Sequence, residues 1–141
     1  MSDVTGLTAV NEYQKMNTQH EIAAASPHRL VQLMMERALT KIGIAKRQME
    51  RQAVVEKGKH IGDAIGIICG LQASLNHKPD ASLAGNFDAL YDYMTRRLLE
   101  ANLRDDPSIL AEVTSLLREL KEAWDAIGPQ VSDDDAAVRL A

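Results

Sequence analysis

Four histidines, one cysteine and twenty Asp or Glu residues are the groups with which this 141-residue chain could do chemistry. His60 is the most suggestive, because Lys57, Lys59 and Gly62 stand beside it. An exposed helical histidine with a nearby lysine, and a glycine that leaves room for a partner, is the pattern of a histidine phosphotransfer or signalling adaptor bundle. Glu56 precedes His60 by one helical turn, but no second histidine stands at ligand spacing, and a surface helix pair is the plainer reading. A di-iron bundle needs Glu-x-x-His on two helices and a lone glutamate on each of two others, a pattern the sequence does not contain. His20, His28 and His77 fall at element ends or in loops, where exposed neutral side chains are expected. Cys69, the only cysteine, can form neither an intramolecular disulfide nor a Cys-based zinc site, and it reads as a small helix residue. Neither GxxxxGK[ST] nor GxGxxG occurs, so nothing is built to cradle nucleotide phosphates. No carboxylate lies on an apolar stripe where burial would raise its pKa for acid–base work. The sequence therefore argues for binding rather than catalysis, with no cofactor and no metal.

The elements that position these groups are helical. The chain is 45% hydrophobic and 26% charged, with one Phe and one Trp, so an aliphatic core rich in Leu, Ile, Ala and Met is expected. Ser26-Pro27 is a cap followed by a proline tolerated at the first helical position. From there Leu30, Val31, Met34, Met35, Ala38, Ile42, Ala45 and Met49 recur at helical spacing, to about residue 52. Ile61, Ala64, Ile65, Ile68, Leu71 and Leu75 stripe a second helix over about 56–75, and Asn76 to Asp80, with Pro79, breaks it. A third covers about 83–103 with Phe87, Leu90, Tyr91, Met94, Leu98 and Ala101 on one side. Asp106-Pro107 repeats the cap signal, and Ile109 to Ile127 form a fourth helix that Gly128-Pro129 stops. Four helices with short connections predict an all-α, antiparallel four-helix bundle over 26–128. Residues 1–25 are expected as a flexible segment with a short helical or extended cap containing Tyr13 and Met16. Residues 129–141, with Asp133, Asp134 and Asp135, are expected as a disordered acidic tail. The formal charge of −4 argues against nucleic acid as a partner. Neither end resembles a signal peptide and no apolar run reaches the ~20 residues of a membrane span, so a cytoplasmic protein without membrane insertion is expected.

Two helices carry more apolar surface than one bundle core uses. On a wheel of about 100° per residue with Leu90 at zero, the main stripe of LYDYMTRRLLEANLRDD lies between about 0° and 100°. Leu99 falls near 180° and Leu103 near 220°, one turn apart, with Arg96 one turn before Leu99 and Tyr93 near 300°, on the flank. In the first helix Leu33 and Ile44 lie away from the main stripe, separated by Arg37 and Lys41. Together these residues outline an external groove suited to an amphipathic partner helix, with arginines for its carboxylates. Gly58, Gly62, Gly66 and Gly70 recur every fourth residue on the second helix. Each costs about 1 kcal/mol relative to alanine, so they mark either a close backbone approach or a weak helix held by packing. Charge is polarised: residues 27–59 hold eight Lys or Arg against three Asp or Glu, and residues 105–141 hold three against nine. Such a split reads either as ordinary solvated helix faces or as a polarised surface that orients a partner.

These blocks resemble the flagellin-specific flagellar export chaperones, the FliS family. Tyr13-Gln14 is similar to the family's N-terminal tyrosine signature, ASPHRLVQLM to the start of its first long helix, and AIGIICGLQASL to its second. LYDYMTRRLLEAN followed by Asp105 is the most specific block, and Leu116, Leu117, Leu120 and Ala123-Trp124 agree with the last helix. The resemblance implies a helical bundle that binds the disordered C-terminal segment of newly made flagellin in the cytoplasm. Such a protein prevents premature polymerisation and keeps the subunit competent for export. It places the binding surface near Leu33 on the first helix and near Leu99 and Leu103 on the third. It gives Tyr13 the role of covering part of that surface when flagellin is absent. Met35 and Arg37 depart from the family pattern, where a tyrosine and a glycine are frequent.

Overall fold

A computed structural model describes residues 26–75 and 81–127 of the chain. Four helices follow one another: α1, Pro27–Glu50; α2, Val54–Ala73; α3, Ala81–Arg104; and α4, Pro107–Ile127. The expected cap with Tyr13 and Met16, the breaker at 76–80, the Gly128-Pro129 stop and the acidic tail lie outside the described residues, as do His20 and His77.

The helix ends follow local chemistry. The Ser26 hydroxyl accepts the Arg29 backbone N–H at 3.1 Å, and Pro27 begins α1. At the other end Gln52 adopts φ 60, and the Ala53 N–H returns to the Gln48 carbonyl at 2.9 Å, a Schellman closure without glycine. The α3–α4 junction repeats it: Asp105 has φ 49 and the Asp106 N–H reaches the Ala101 carbonyl at 3.2 Å. Asp106 then caps α4, its carboxylate accepting the Ser108 N–H at 2.9 Å and the Ser108 hydroxyl at 2.6 Å. These donors hold the Asp106 carboxyl below the usual carboxylate range.

Each helix turns a narrow seam inward. Val31, Met35, Ala38, Ile42, Ala45 and Met49 of α1 are buried, as are Ile61, Ala64, Ile68 and Leu71 of α2, and Tyr91, Met94, Leu98 and Ala101 of α3. Leu110, Val113, Leu117, Leu120 and Trp124 complete the core from α4. The spacing alternates between three and four residues, the seam of a bundle with coiled-coil-like packing. The packed neighbours are α1–α2, α2–α3, α3–α4 and α4–α1, so α1 and α3 stand on one diagonal and α2 and α4 on the other. Cross-helix bonds fix the antiparallel sense: Gln32 to Asp125 at 2.7 Å, Gln72 to Asp88 at 2.8 Å, and Arg97 to Glu112 at 2.8 Å.

Two polar groups enter the packing. Lys57 is 3% exposed and occupies the α2 seam one turn before Ile61. Its ammonium donates to the Asn102 carbonyl at 3.0 Å and pairs with Asp105. It thereby satisfies a last-turn carbonyl of α3 that the helix cannot. His28, expected as an exposed side chain, is instead half-buried and stacked on Trp124, with ring centroids 4.6 Å apart. The Trp124 indole N–H donates to the His28 carbonyl at 3.0 Å. The antiparallel pairing of α1 and α4 brings the first turn of one against the last turn of the other, and the indole covers the histidine.

Candidate functional site

The seam takes one apolar stripe per helix, so every other apolar residue must find a place outside it. On α1 these residues line a groove of about 950 Å³ between α1 and α2. One wall is Leu30, Leu33, Met34, Arg37, Thr40, Lys41 and Ile44; the other is Gly62, Asp63, Gly66 and Ile67. Three residues expected to form a binding surface, Leu33, Arg37 and Ile44, thus share one groove. Ile44 lies fourteen helical steps beyond Leu30, about 21 Å at ~1.5 Å each.

The sequence assigned Leu30 and Met34 to the core stripe, yet they stand on its α2 flank and line the groove. The wheel gives an angle but not the position of the neighbouring helix. Gly70 explains the placement of Met34: a Cβ there would lie 3.2 Å from the Met34 Cε, so the missing side chain lets the thioether lie over α2. At Gly62 and Gly66 a Cβ would meet nothing within 4 Å. These glycines open the groove floor and admit no neighbour from within the described bundle.

Charges along the groove are mostly neutralised. The Lys41 ammonium bridges to Asp63 at 3.2 Å, linking the two walls. Glu36 lies 3.5 Å from Arg29 and 3.7 Å from Lys121. Arg37 is exposed and makes no ion pair among the described residues.

The second surface lies on α3. Leu99 is 51% and Leu103 85% exposed, and the Arg96 guanidinium beside them contacts only Asp92, at 3.7 Å, among the described residues. Contacts orient this face. Asn102 and Asp88 meet α2, whereas Tyr93 and Arg97 meet Glu112 of α4. On the wheel Leu99 falls beside Asp88, so it looks outward on the α2 side. Tyr93 points the other way: its hydroxyl donates to Glu112 at 3.1 Å in the α3–α4 seam. The structure therefore brings Arg96, Leu99 and Leu103 together and sets Tyr93 apart from them. Val54 and Val55, exposed at the start of α2, add apolar surface that the sequence reading passed over.

His60 does not have the setting a phosphotransfer histidine needs. It is half-buried, its Nδ1 lies 2.8 Å from the Gln48 side-chain oxygen and 3.0 Å from the Glu56 carbonyl, and neighbouring Lys57 is committed to the core. Among the described residues no group of His, Cys, Asp or Glu could hold a metal ion, and no helix is long and apolar enough to cross a membrane. Cys69 is free and exposed.

The model of the family described as flagellar protein FliS matches residues 9–131. A flagellar secretion chaperone, FliSB, of Pseudomonas aeruginosa is 46% identical over 121 residues, covering 86% of this chain and 96% of its own. The flagellar secretion chaperone FliS of Vibrio cholerae is 34% identical over 92% of this chain and 95% of its own. That of Salmonella typhimurium is 37% identical over 89% and 93%.

Proposed function

The chain belongs to the FliS family of flagellar proteins, and we propose that it is a cytoplasmic export chaperone that holds the disordered C-terminal segment of flagellin. The observation that carries this reading is apolar surface left outside a core that is already closed. Leu99 and Leu103 are exposed, and the α1–α2 groove is lined by Leu30, Leu33, Ile44 and Ile67, although every helix has filled its seam. A partner segment folding onto these surfaces loses chain entropy, which the apolar area it covers must offset. Arg37 and Arg96 stand beside the apolar residues and offer donors to its carboxylates. Covering the segment keeps it from premature polymerisation and leaves it competent for export. Holding is stoichiometric and involves no bond chemistry. Tyr13 and Met16 cover part of the groove while it is empty, and export machinery or a flagellar regulator is a further partner of the polarised surface.

Calorimetry with a synthetic peptide of a flagellin C-terminal segment tests the proposal. Binding at micromolar concentration or tighter is expected, with a clearly negative heat-capacity change if about 1,000–3,000 Å² is buried. A folded bundle that shows no binding at that concentration overturns the flagellin assignment.

A further inference from the structure

The end of α4 delivers the rest of the chain to the first turns of α1. Trp124 bonds to His28 and Asp125 to Gln32. From Ile127 the sequence continues for fourteen residues, GPQVSDDDAAVRLA. It holds three adjacent carboxylates, Asp133, Asp134 and Asp135, against one cation, Arg139, with Val131 before them and Val138 and Leu140 after.

The surface within reach has the complementary pattern. Lys41 is paired with Asp63, and Glu36 lies close to Arg29 and Lys121, so the cation left over in the α1–α2 groove is Arg37. Arg47 and Arg51 continue that side of α1, exposed and without an ion pair among the described residues. Glu50 lies about five turns from Gln32 and so shares its α4-facing side. Lys59 and Glu56 of α2 cancel in net charge. Going from Ile127 to Arg37 means about 11 Å along α1 and about 10 Å across it, roughly 15 Å in all. Six extended residues, Ile127 to Asp133, span about 20 Å. The order also agrees. Leu33, Arg37 and Ile44 are spaced by about 6 and 10 Å along the helix. An extended chain places Asp133 about 7 Å past Val131, and Val138 about 10 Å past Asp135.

We propose that residues 128–141 dock back into the α1–α2 groove of their own chain. Val131 meets Leu33, the Asp133 to Asp135 carboxylates meet Arg37, and Val138 and Leu140 lie toward Ile44. A tethered segment is present at an effective concentration in the millimolar range, so a weak contact suffices to fill the groove and to compete with any other occupant. This is a second cover, separate from the one given to Tyr13 and Met16. It goes beyond the chaperone reading, because the contact itself requires no flagellin.

A nitroxide attached at Ala137→Cys, in the full chain with the exposed Cys69 changed to serine, tests this by nuclear magnetic resonance. Amide signals of Leu33 to Ile44 and of Gly62 to Gly66 should broaden strongly, and those of Tyr93 and Glu112 in the α3–α4 seam should not. Changing Asp133, Asp134 and Asp135 together to asparagine, or Arg37→Glu alone, should remove most of the broadening, with thermal melts confirming that each variant is folded. Saturating flagellin C-terminal peptide should restore the signals. A chain ending at Gly128 should bind that peptide about threefold to tenfold more tightly, the gain if the tail leaves the groove open about a tenth to a third of the time. Uniform or absent broadening overturns the proposal, as does broadening indifferent to both charge changes. Equal peptide affinity with and without the tail overturns it as well. Broadening between spin-labelled chains and separately isotope-labelled ones assigns the tail to the groove of a second copy, which also overturns it. A peptide that does not bind at all overturns the flagellin reading, while the broadening pattern still decides the tail contact.

Discussion

Replacing Leu99 and Leu103 together by serine separates the two jobs an apolar side chain can have. Fully burying a leucine is worth about 1.5–3 kcal/mol. Leu103 is 85% exposed, so its change should cost the fold only a few tenths of a kcal/mol; Leu99, at 51%, should cost about 1 kcal/mol. If the client covers what is now exposed, the same fractions give the binding energy at stake: about 2–4 kcal/mol for the pair, or about thirtyfold to a thousandfold in Kd. Thermal melting followed by circular dichroism reads the first quantity and calorimetry with the flagellin C-terminal peptide the second. The expected result is a bundle that melts a few degrees lower and binds far more weakly. A twofold change in Kd with a folded variant would place the client elsewhere. Loss of the melting transition would show that the leucines hold the bundle, against their exposed positions on α3.

Other substitutions test the core and its ends. Trp124→Ala removes a side chain 1% exposed, together with its stack on His28, and should cost about 3–5 kcal/mol by denaturant titration. Lys57→Met should cost about 1–3 kcal/mol, because the Asn102 carbonyl loses its donor while Asp105, the more exposed partner, returns to water. Asp106→Ala should lower the thermal midpoint at neutral pH through the lost cap of α4. The Asp106 carboxyl is held below its ordinary value, so the capped carboxylate stabilises the fold above the ordinary carboxylate range, and that stability is lost as pH falls through the lowered value. The difference between wild type and Asp106→Ala should therefore shrink on acidification, as melts at stepped pH can measure.

The seam was legible because burial follows the 3–4 spacing: Met35, Ala38, Ile42 and Ala45, or Val113, Leu117, Leu120 and Trp124, can be read off without a structure. So were the caps, since Ser26-Pro27 and Asp106-Pro107 act within three residues of themselves. Lys57 was missed although it continues the run to Ile61, Ala64, Ile68 and Leu71 at the right interval, because a lysine is read as solvent-facing unless its partner is known. That partner sits forty-eight positions away at a helix end. His28 failed for the same reason, its ring partner being ninety-six residues on. The extra faces of α1 and α3 were visible as angles. Which neighbour each angle faces was not, and that is why Tyr93 joins the α4 seam while Leu99 turns toward α2.

The ring order gives these surfaces a relation that neither helix reveals alone. The groove with Leu33, Arg37 and Ile44 lies on the α1 side of α2, and Leu99 looks outward on its α3 side. Between them runs the outer face of α2, low at Gly62 and Gly66 and carrying the exposed Lys59. A single segment passing over the outside of α2 can reach both surfaces without opening the bundle. Joining two weak contacts in one chain makes the second effectively intramolecular, so each can be individually modest. Occupancy then stabilises the folded chaperone by mass action, about 2.7 kcal/mol at a client concentration a hundred times Kd. The glycines that weaken α2 in the free protein are thus offset whenever the client is bound.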